Sequence, residues 1–270
     1  MTTSLQKKIA NQIWRIVNSI QAKRYSRKQN IYDLDLSFTE SASRFKRRND
    51  LYDYMHHYFY HHCIHLVQQH RAYFKQDQRG YGEDAFHSMW FTLLSEFKPA
   101  QCLEIGVYRG QVVSLWALIA KLSGFKCEVH GISPFSAAGD GVSTYLANLD
   151  YLQDTLKSNR YFGLPDPSFI KAFSTDSTAI DFIKSRLWNL IYIDGNHDYE
   201  VALADYEVCK GSLADGGLLV MDDSSLYTDY QPPSFSFAGH PGPSRVVQER
   251  AMKELRFLGG VGHNNIFQKV

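Results

Sequence analysis

Three short runs hold the residues best suited to chemistry: Leu103-Glu104-Ile105-Gly106-Val107-Tyr108-Arg109-Gly110, Ile191-Tyr192-Ile193-Asp194-Gly195-Asn196-His197 and Leu218-Leu219-Val220-Met221-Asp222-Asp223. Each reads as an apolar strand ending in an acid, and the first continues through a glycine-bearing turn into a helix. In an open parallel sheet, ligands bind beyond the carboxyl ends of the strands, so these groups should converge there. Adjacent strands lie about 5 Å apart, which brings Asp194, Asp222 and Asp223 near one another. Carboxylates this close repel unless a proton or a cation lies between them. Mg²⁺ (or Mn²⁺), with its preference for oxygen ligands, is the natural candidate, although Asp223 alone is equally suited to capping a loop. His197 shares the loop with Asp194, and an imidazole can take a proton from a hydroxyl that a metal has acidified. The set points to chemistry on a hydroxyl beside a nucleoside site.

Gly106 and Gly110 allow a tight turn and a close backbone approach to a ligand. Their spacing does not match the Gly-x-Gly-x-x-Gly of dinucleotide-binding turns, which weighs against a nicotinamide cofactor. Glu104, just before the turn, is either a structural acid or an acceptor for an ammonium group on the ligand.

The elements that must position these residues follow from periodicity. From residue 83 helices and strands alternate: helix 83–97, strand 101–105, helix 111–122, strand 127–132, helix 144–158, strand 168–172, helix 178–185, strand 188–193, helix 199–211 and strand 217–221. A loop over 224–243, rich in Pro, Gly and aromatics, leads to a helix at 244–253 and a glycine-turned hairpin, 255–259 with 265–269. The expected fold is α/β: a doubly wound, mostly parallel seven-stranded sheet with an antiparallel C-terminal hairpin, preceded by a helical region. Residues 1–82 are expected as a helical extension for oligomerisation or substrate cover, and 83–270 as the catalytic domain.

Residues 4–28 form a basic amphipathic helix, with Leu5, Ile9, Ile13, Ile16, Val17 and Ile20 at helical spacing. Packing on its own domain or on a second subunit is the preferred explanation, hence an expected homo-oligomer; peripheral contact with a membrane is the other. A further helix over 51–69 aligns His57, His61 and His65; with many aromatics and no acidic ligand cluster nearby, packing is preferred there over zinc.

Bulk properties narrow the class. At 44% hydrophobic and 14% aromatic, the 270 residues exclude global disorder. A net charge of +1 gives no field favouring nucleic acid. Four cysteines without paired spacing suggest free thiols and a reducing compartment. Residues 1–28 lack the apolar core of a secretory signal, and no run of about 18 apolar residues occurs, so a cytoplasmic protein is expected.

Leu103–Gly110 resembles the first motif of class I S-adenosylmethionine-dependent methyltransferases, and roughly residues 83–270 follow the strand–helix order of that family. The resemblance implies S-adenosylmethionine as cofactor, lying against Glu104, Gly106, Tyr108 and Gly110, with Ser174 after the third strand as an adenine contact and Asp194 at the donor's edge. The second strand departs from the pattern. It ends in Ser133 where the family has an acid for the ribose hydroxyls, so a neutral hydroxyl replaces a charge-assisted contact, and Asp140 in the following loop is the available substitute. Asp-x-x-His followed by paired acids is similar to metal-dependent sugar O-methyltransferases of the macrolide and rhamnosyl kind and to the cephalosporin-hydroxylase-like group. That similarity implies Asp194, Asp222 and Asp223 as metal ligands and His197 as general base. The expected activity is Mg²⁺-dependent methylation of a hydroxyl on a sugar or glycosylated small molecule. A catechol or phenol acceptor and a non-catalytic binding protein are the alternatives.

Overall fold

The computed structural model describes residues 4–27, 33–143 and 145–270, the side chains of residues 4–8, 11, 26 and 27 excepted. Seven strands form its centre: β1 (Gln101–Ile105), β2 (Glu128–Ser133), β3 (Ser168–Lys171), β4 (Trp188–Ile193), β5 (Leu213–Met221), β6 (Arg256–Val261) and β7 (Asn264–Gln268). They lie in one sheet in the order β3-β2-β1-β4-β5-β7-β6, with β7 antiparallel to both its neighbours. Chain order reverses between β1 and β4, the switch point where such sheets open a crevice.

Helices cover both faces: α1 (Ser4–Arg27), α2 (Phe38–Arg44), α3 (Arg48–His61), α4 (His65–Phe74), α5 (Asp84–Phe97), α6 (Gln111–Ser123), α7 (Tyr151–Tyr161), α8 (Ser177–Lys184), α9 (Tyr199–Gly211) and α10 (Pro241–Val246), the last continuing through a π-helical segment, Val247–Ala251. Successive strand residues point to opposite faces. Leu103, Ile105, Ile191, Ile193, Leu219 and Met221 therefore pack beneath α8, α9 and α10, while Cys102, Leu190, Tyr192, Leu218 and Val220 pack beneath α3, α5 and α6. Cys102 and Cys127 meet thiol to thiol at 3.3 Å.

Several expected boundaries shift. The helix expected over 51–69 is two helices, broken at His62-Cys63-Ile64. The helix expected from Thr144, a position outside the described residues, starts at Tyr151, because the Asp150 side chain caps it by accepting from Gln153 N–H (3.0 Å). Strand β5 begins four residues early and α10 three residues early, with Pro in its first turn. Across the expected boundary at residue 82, Leu51, Tyr52, Met55 and Phe59 of α3 share one core with Met89, Trp90 and Leu93 of α5. Tyr58 is buried in that core. Of α1, Ala22 is buried and Tyr25 packs against that core. Of the helix expected over 4–28, the side chain of Leu5 and all of Lys28 lie outside the described residues.

A buried charge cluster pins α4 to α5. Asp84 accepts from Arg71 Nε at 3.0 Å, Lys75 Nζ at 2.6 Å and Tyr60 OH at 2.5 Å. Burial alone would raise the Asp84 pKa, but Lys75 and Arg71 outweigh it and hold the carboxyl well below the usual carboxylate range. A depressed folded-state pKa gives stability that is present above the unfolded value, about 4, and lost as pH falls below it. Asp84→Asn should cost about 3 kcal/mol at neutral pH by leaving two cations unpaired, with a penalty that shrinks in acid; urea midpoints at both pH values measure it.

Candidate active site

Register brings the acids level. Ile105 pairs with Ile193, and Ile193 with Met221. The ladder runs one step further: Asp194 N–H donates to Ile105 O (2.9 Å) and Asp222 N–H to Ile193 O (3.0 Å). Glu104, Asp194 and Asp222 alternate with Ile105, Ile193 and Met221, so all three project to the α3–α5–α6 face. They border a cavity of ≈ 480 Å³ together with Gly106, Tyr108, Ser133, Ser174 and His197.

Gly106 is there of necessity. Its φ is 97°, and a Cβ would lie 1.8 Å from the Asp194 carbonyl oxygen. Gly110 has a different part to play from that expected: at φ 82° it forms the N-cap of α6 and abuts Thr155, set back from the cavity wall. Glu104 accepts from Val113 N–H (3.2 Å) in the first turn of α6. Burial pushes its carboxyl up to about 8, with the charge of Asp222 adding to the effect. The Ser133 hydroxyl faces the cavity and accepts weakly from Phe135 N–H (3.4 Å). Ser174 also lines the cavity and bonds to Asp205.

The acidic end is densely bonded. Burial drives the Asp194 pKa well above the carboxylate range, as do the charges of Asp222, Asp223 and Glu104, and its carboxyl hydrogen-bonds to that of Asp222. His263 Nδ1 lies 2.8 Å from Asp222 Oδ1 and 2.9 Å from Asp223 Oδ1. On the other side of Asp223, His197 Nε2 is 2.8 Å from Oδ2, and His197 Nδ1 is 2.5 Å from Asp140 Oδ2. Burial lowers the His197 pKa, yet Asp223 and Asp140 outweigh it and hold the ring at about 9. Among the described residues two sets of donor atoms converge within 4.8 Å: Asp222, Asp223 and His263, and His197, Asp223 and His240. Asp194 joins neither set and touches the first through Asp222.

Two expectations change here. His197 has both ring nitrogens committed to carboxylates and is cationic at neutral pH, so it is not poised to accept a proton. Asp140 is committed to His197, through its backbone N–H (2.8 Å) as well as its ring, and is not free for ribose. Of the aromatics in the 224–243 loop, Phe237 lines the cavity, while Phe235 and Tyr230 pack inward, Tyr230 against Tyr52.

His240 and His263 escaped the sequence reading. His240 is part-exposed and lines the cavity, its ring 4.3 Å from that of His197, and both burial and His197 keep its pKa low. His263 had a usable signal. A terminal hairpin running antiparallel beside β5 must put its turn at the carboxyl end of that strand, and Ser224 N–H does donate to His263 O (2.9 Å).

Residues 103–224 match the family model described as a methyltransferase domain. Over that stretch the chain carries a methyltransferase domain. The fold agrees with solved structures. An SAH-bound methyltransferase of Podospora anserina is 12% identical, with 77% of this chain and 88% of that chain covered at a TM-score of 0.52. A putative caffeoyl-CoA O-methyltransferase from Staphylococcus aureus is 14% identical, with 76% and 92% covered at 0.51. At such identities the likeness is one of fold. No curated protein matches the chain in sequence.

The methyltransferase's Glu104 supplies a test of where the donor's methionine end sits. With its carboxyl raised to about 8 it is protonated at pH 7. A docked ammonium group would favour the carboxylate and expel that proton. Calorimetric titration with S-adenosylhomocysteine at pH 7, in buffers of different ionisation heat, should show proton release that Glu104→Gln abolishes. Affinity should fall about tenfold in the variant.

Proposed function

We propose that this methyltransferase transfers the methyl group of S-adenosylmethionine to an oxygen of a small-molecule acceptor, a hydroxyl of a sugar or glycoside. The observation that carries the proposal is the gathering of Asp194, Asp222 and Asp223 at adjacent strand ends, one ladder step from Gly106. The donor set suits Mg²⁺ or Mn²⁺: Asp222 and Asp223 supply carboxylate oxygens beside His263, and the Asp194–Asp222 contact, which needs a shared proton to exist, is one that a divalent cation would also relieve. Asp222 and Asp223 would hold the ion, with His263 in the same donor set and Asp194 joined to it through Asp222. A bound divalent ion supplies a Lewis acid that lowers the pKa of an acceptor hydroxyl and fixes its position.

The chain's own residues account for the remaining demands. Gly106 lets the donor approach the backbone, and Glu104 receives its ammonium. Tyr81, Tyr108, Tyr145, Tyr151 and Phe237 present ring faces and edges to the cavity and limit water there. These apolar walls suit the carbon face of a sugar ring, and they equally suit a planar phenol, which keeps a catechol acceptor as the second reading. His240 is the better-placed proton acceptor: it is neutral and opens on the cavity, whereas His197 acts as a charged clamp between Asp140 and Asp223. Methyl transfer from a sulfonium needs no covalent enzyme intermediate, so positioning and proton removal are the protein's main tasks.

Methyl transfer to a panel of glycosides and catechols, with chelator and with added Mg²⁺, tests the proposal. Asp222→Asn should abolish the divalent-dependent turnover while leaving S-adenosylhomocysteine affinity within a few-fold; an unchanged rate in chelated protein would sink the metal role. His240→Ala should reduce kcat by about 10²–10⁴-fold with donor affinity retained. Should His197→Ala alone show that pattern, the proton acceptor is His197 after all.

A further inference from the structure

Helix α1 turns its apolar side away from the protein. At 3.6 residues per turn, Ile9, Ile13, Ile16, Val17 and Ile20 share an arc about 100° wide. All five are 44–56% exposed, and Trp14 is 61% exposed. The contacts that hold α1 lie round the other side. Ala22 is buried, and its carbonyl accepts from His56 Nε2 (2.9 Å). Tyr25 packs edge-on against His56 and Phe235, with ring centroids at 5.4 and 5.5 Å, and Gln21 accepts from Ser234 Oγ (3.1 Å). A helix on a globular domain ordinarily buries its apolar stripe and shows its polar side to water. Here the order is reversed.

Charge selects what covers the stripe. Residues 1–32 contain Lys7, Lys8, Arg15, Lys23, Arg24, Arg27 and Lys28 and no acid. Without those seven, 22 of the 29 basic residues remain against all 28 acidic ones, so cationic charge is concentrated in this one element. A second α1 laid along the stripe would bring its own six cations toward those of the first. An anionic bilayer meets both needs, because its acyl boundary accepts the isoleucines and its headgroups attract the lysines and arginines. Trp14 supplies the amphipathic ring that settles at headgroup depth. The helix is not long and apolar enough to cross a membrane, so it would lie along the surface. We propose that α1 docks this methyltransferase on an anionic lipid surface, stripe inward. The net acidic remainder, repelled by the same surface, would then face the solution.

The full chain can be pelleted with vesicles of phosphatidylcholine alone and of phosphatidylcholine mixed with phosphatidylglycerol. Binding is expected on the mixed vesicles only, and should weaken as salt rises. It should shift tryptophan emission to the blue, since Trp14 is exposed while Trp90, Trp116 and Trp188 are buried. Ile13→Ser with Val17→Ser, and separately Lys23→Glu with Arg24→Glu, should each lower binding at least about tenfold with Tm unchanged. Equal binding to both vesicle types, no binding to either, or binding that survives both pairs of changes overturns the proposal. A solution dimer that the isoleucine–valine pair dissociates, in protein that ignores vesicles, assigns the stripe to a second copy instead.

Discussion

Electrostatic repulsion among acids forced onto one side of a sheet is the constraint around which this molecule is arranged. Parallel pairing of β1, β4 and β5 sets the register, and the pleat then sends Glu104, Asp194 and Asp222 to the same face at neighbouring strand ends. The three cannot all ionise in a crevice with apolar layers beneath it. The protein answers with a proton on Asp194 and with two imidazolium rings, His197 and His263, brought from different loops. Each ring ties its own segment to Asp223: the 194–198 turn through His197, and the β6–β7 turn through His263. The acids thus organise the loops that surround them, and those loops form the walls of the cavity.

The rest of the fold serves that crevice by keeping it dry and fixed. Trp90, Trp116 and Tyr192 pack edge to face directly under it, with ring centroids 5.1 Å apart for Trp90 with each of the others. Rigid aromatic packing of this kind holds strand ends to a narrow range of positions. The buried Tyr192 hydroxyl is itself bonded to Asp222, which joins the hydrophobic layer to the polar one.

Much of this was legible because it depends on local pattern. Alternating apolar strands and amphipathic helices identify the sheet, and an acid after Ile193 and after Met221 is enough to place both at strand ends. Gly106 was legible as a close-approach residue, since only glycine tolerates its φ against the Asp194 carbonyl. What stayed hidden depends on long-range placement. Asp140 and His197 are 57 residues apart, and no spacing rule pairs them. His240 lies in an irregular loop whose path is set by His240 N–H donating to Asp223 O (2.7 Å). The apolar stripe of α1 was visible in the sequence, but which way it faces was not: periodicity defines a side of a helix and says nothing of what lies opposite.

The contact between Gly106 and the Asp194 carbonyl has a consequence for how such a site can change over time. The Gly106 turn and the strand end that begins the acidic cluster touch backbone to backbone, without room for a single methyl group. Neither half can be reshaped by swapping its own loop without displacing the other. New acceptor preferences are therefore free to arise in the 224–240 segment and around Tyr81, where side chains line the opening, while the inner seam must pass unaltered from one descendant to the next.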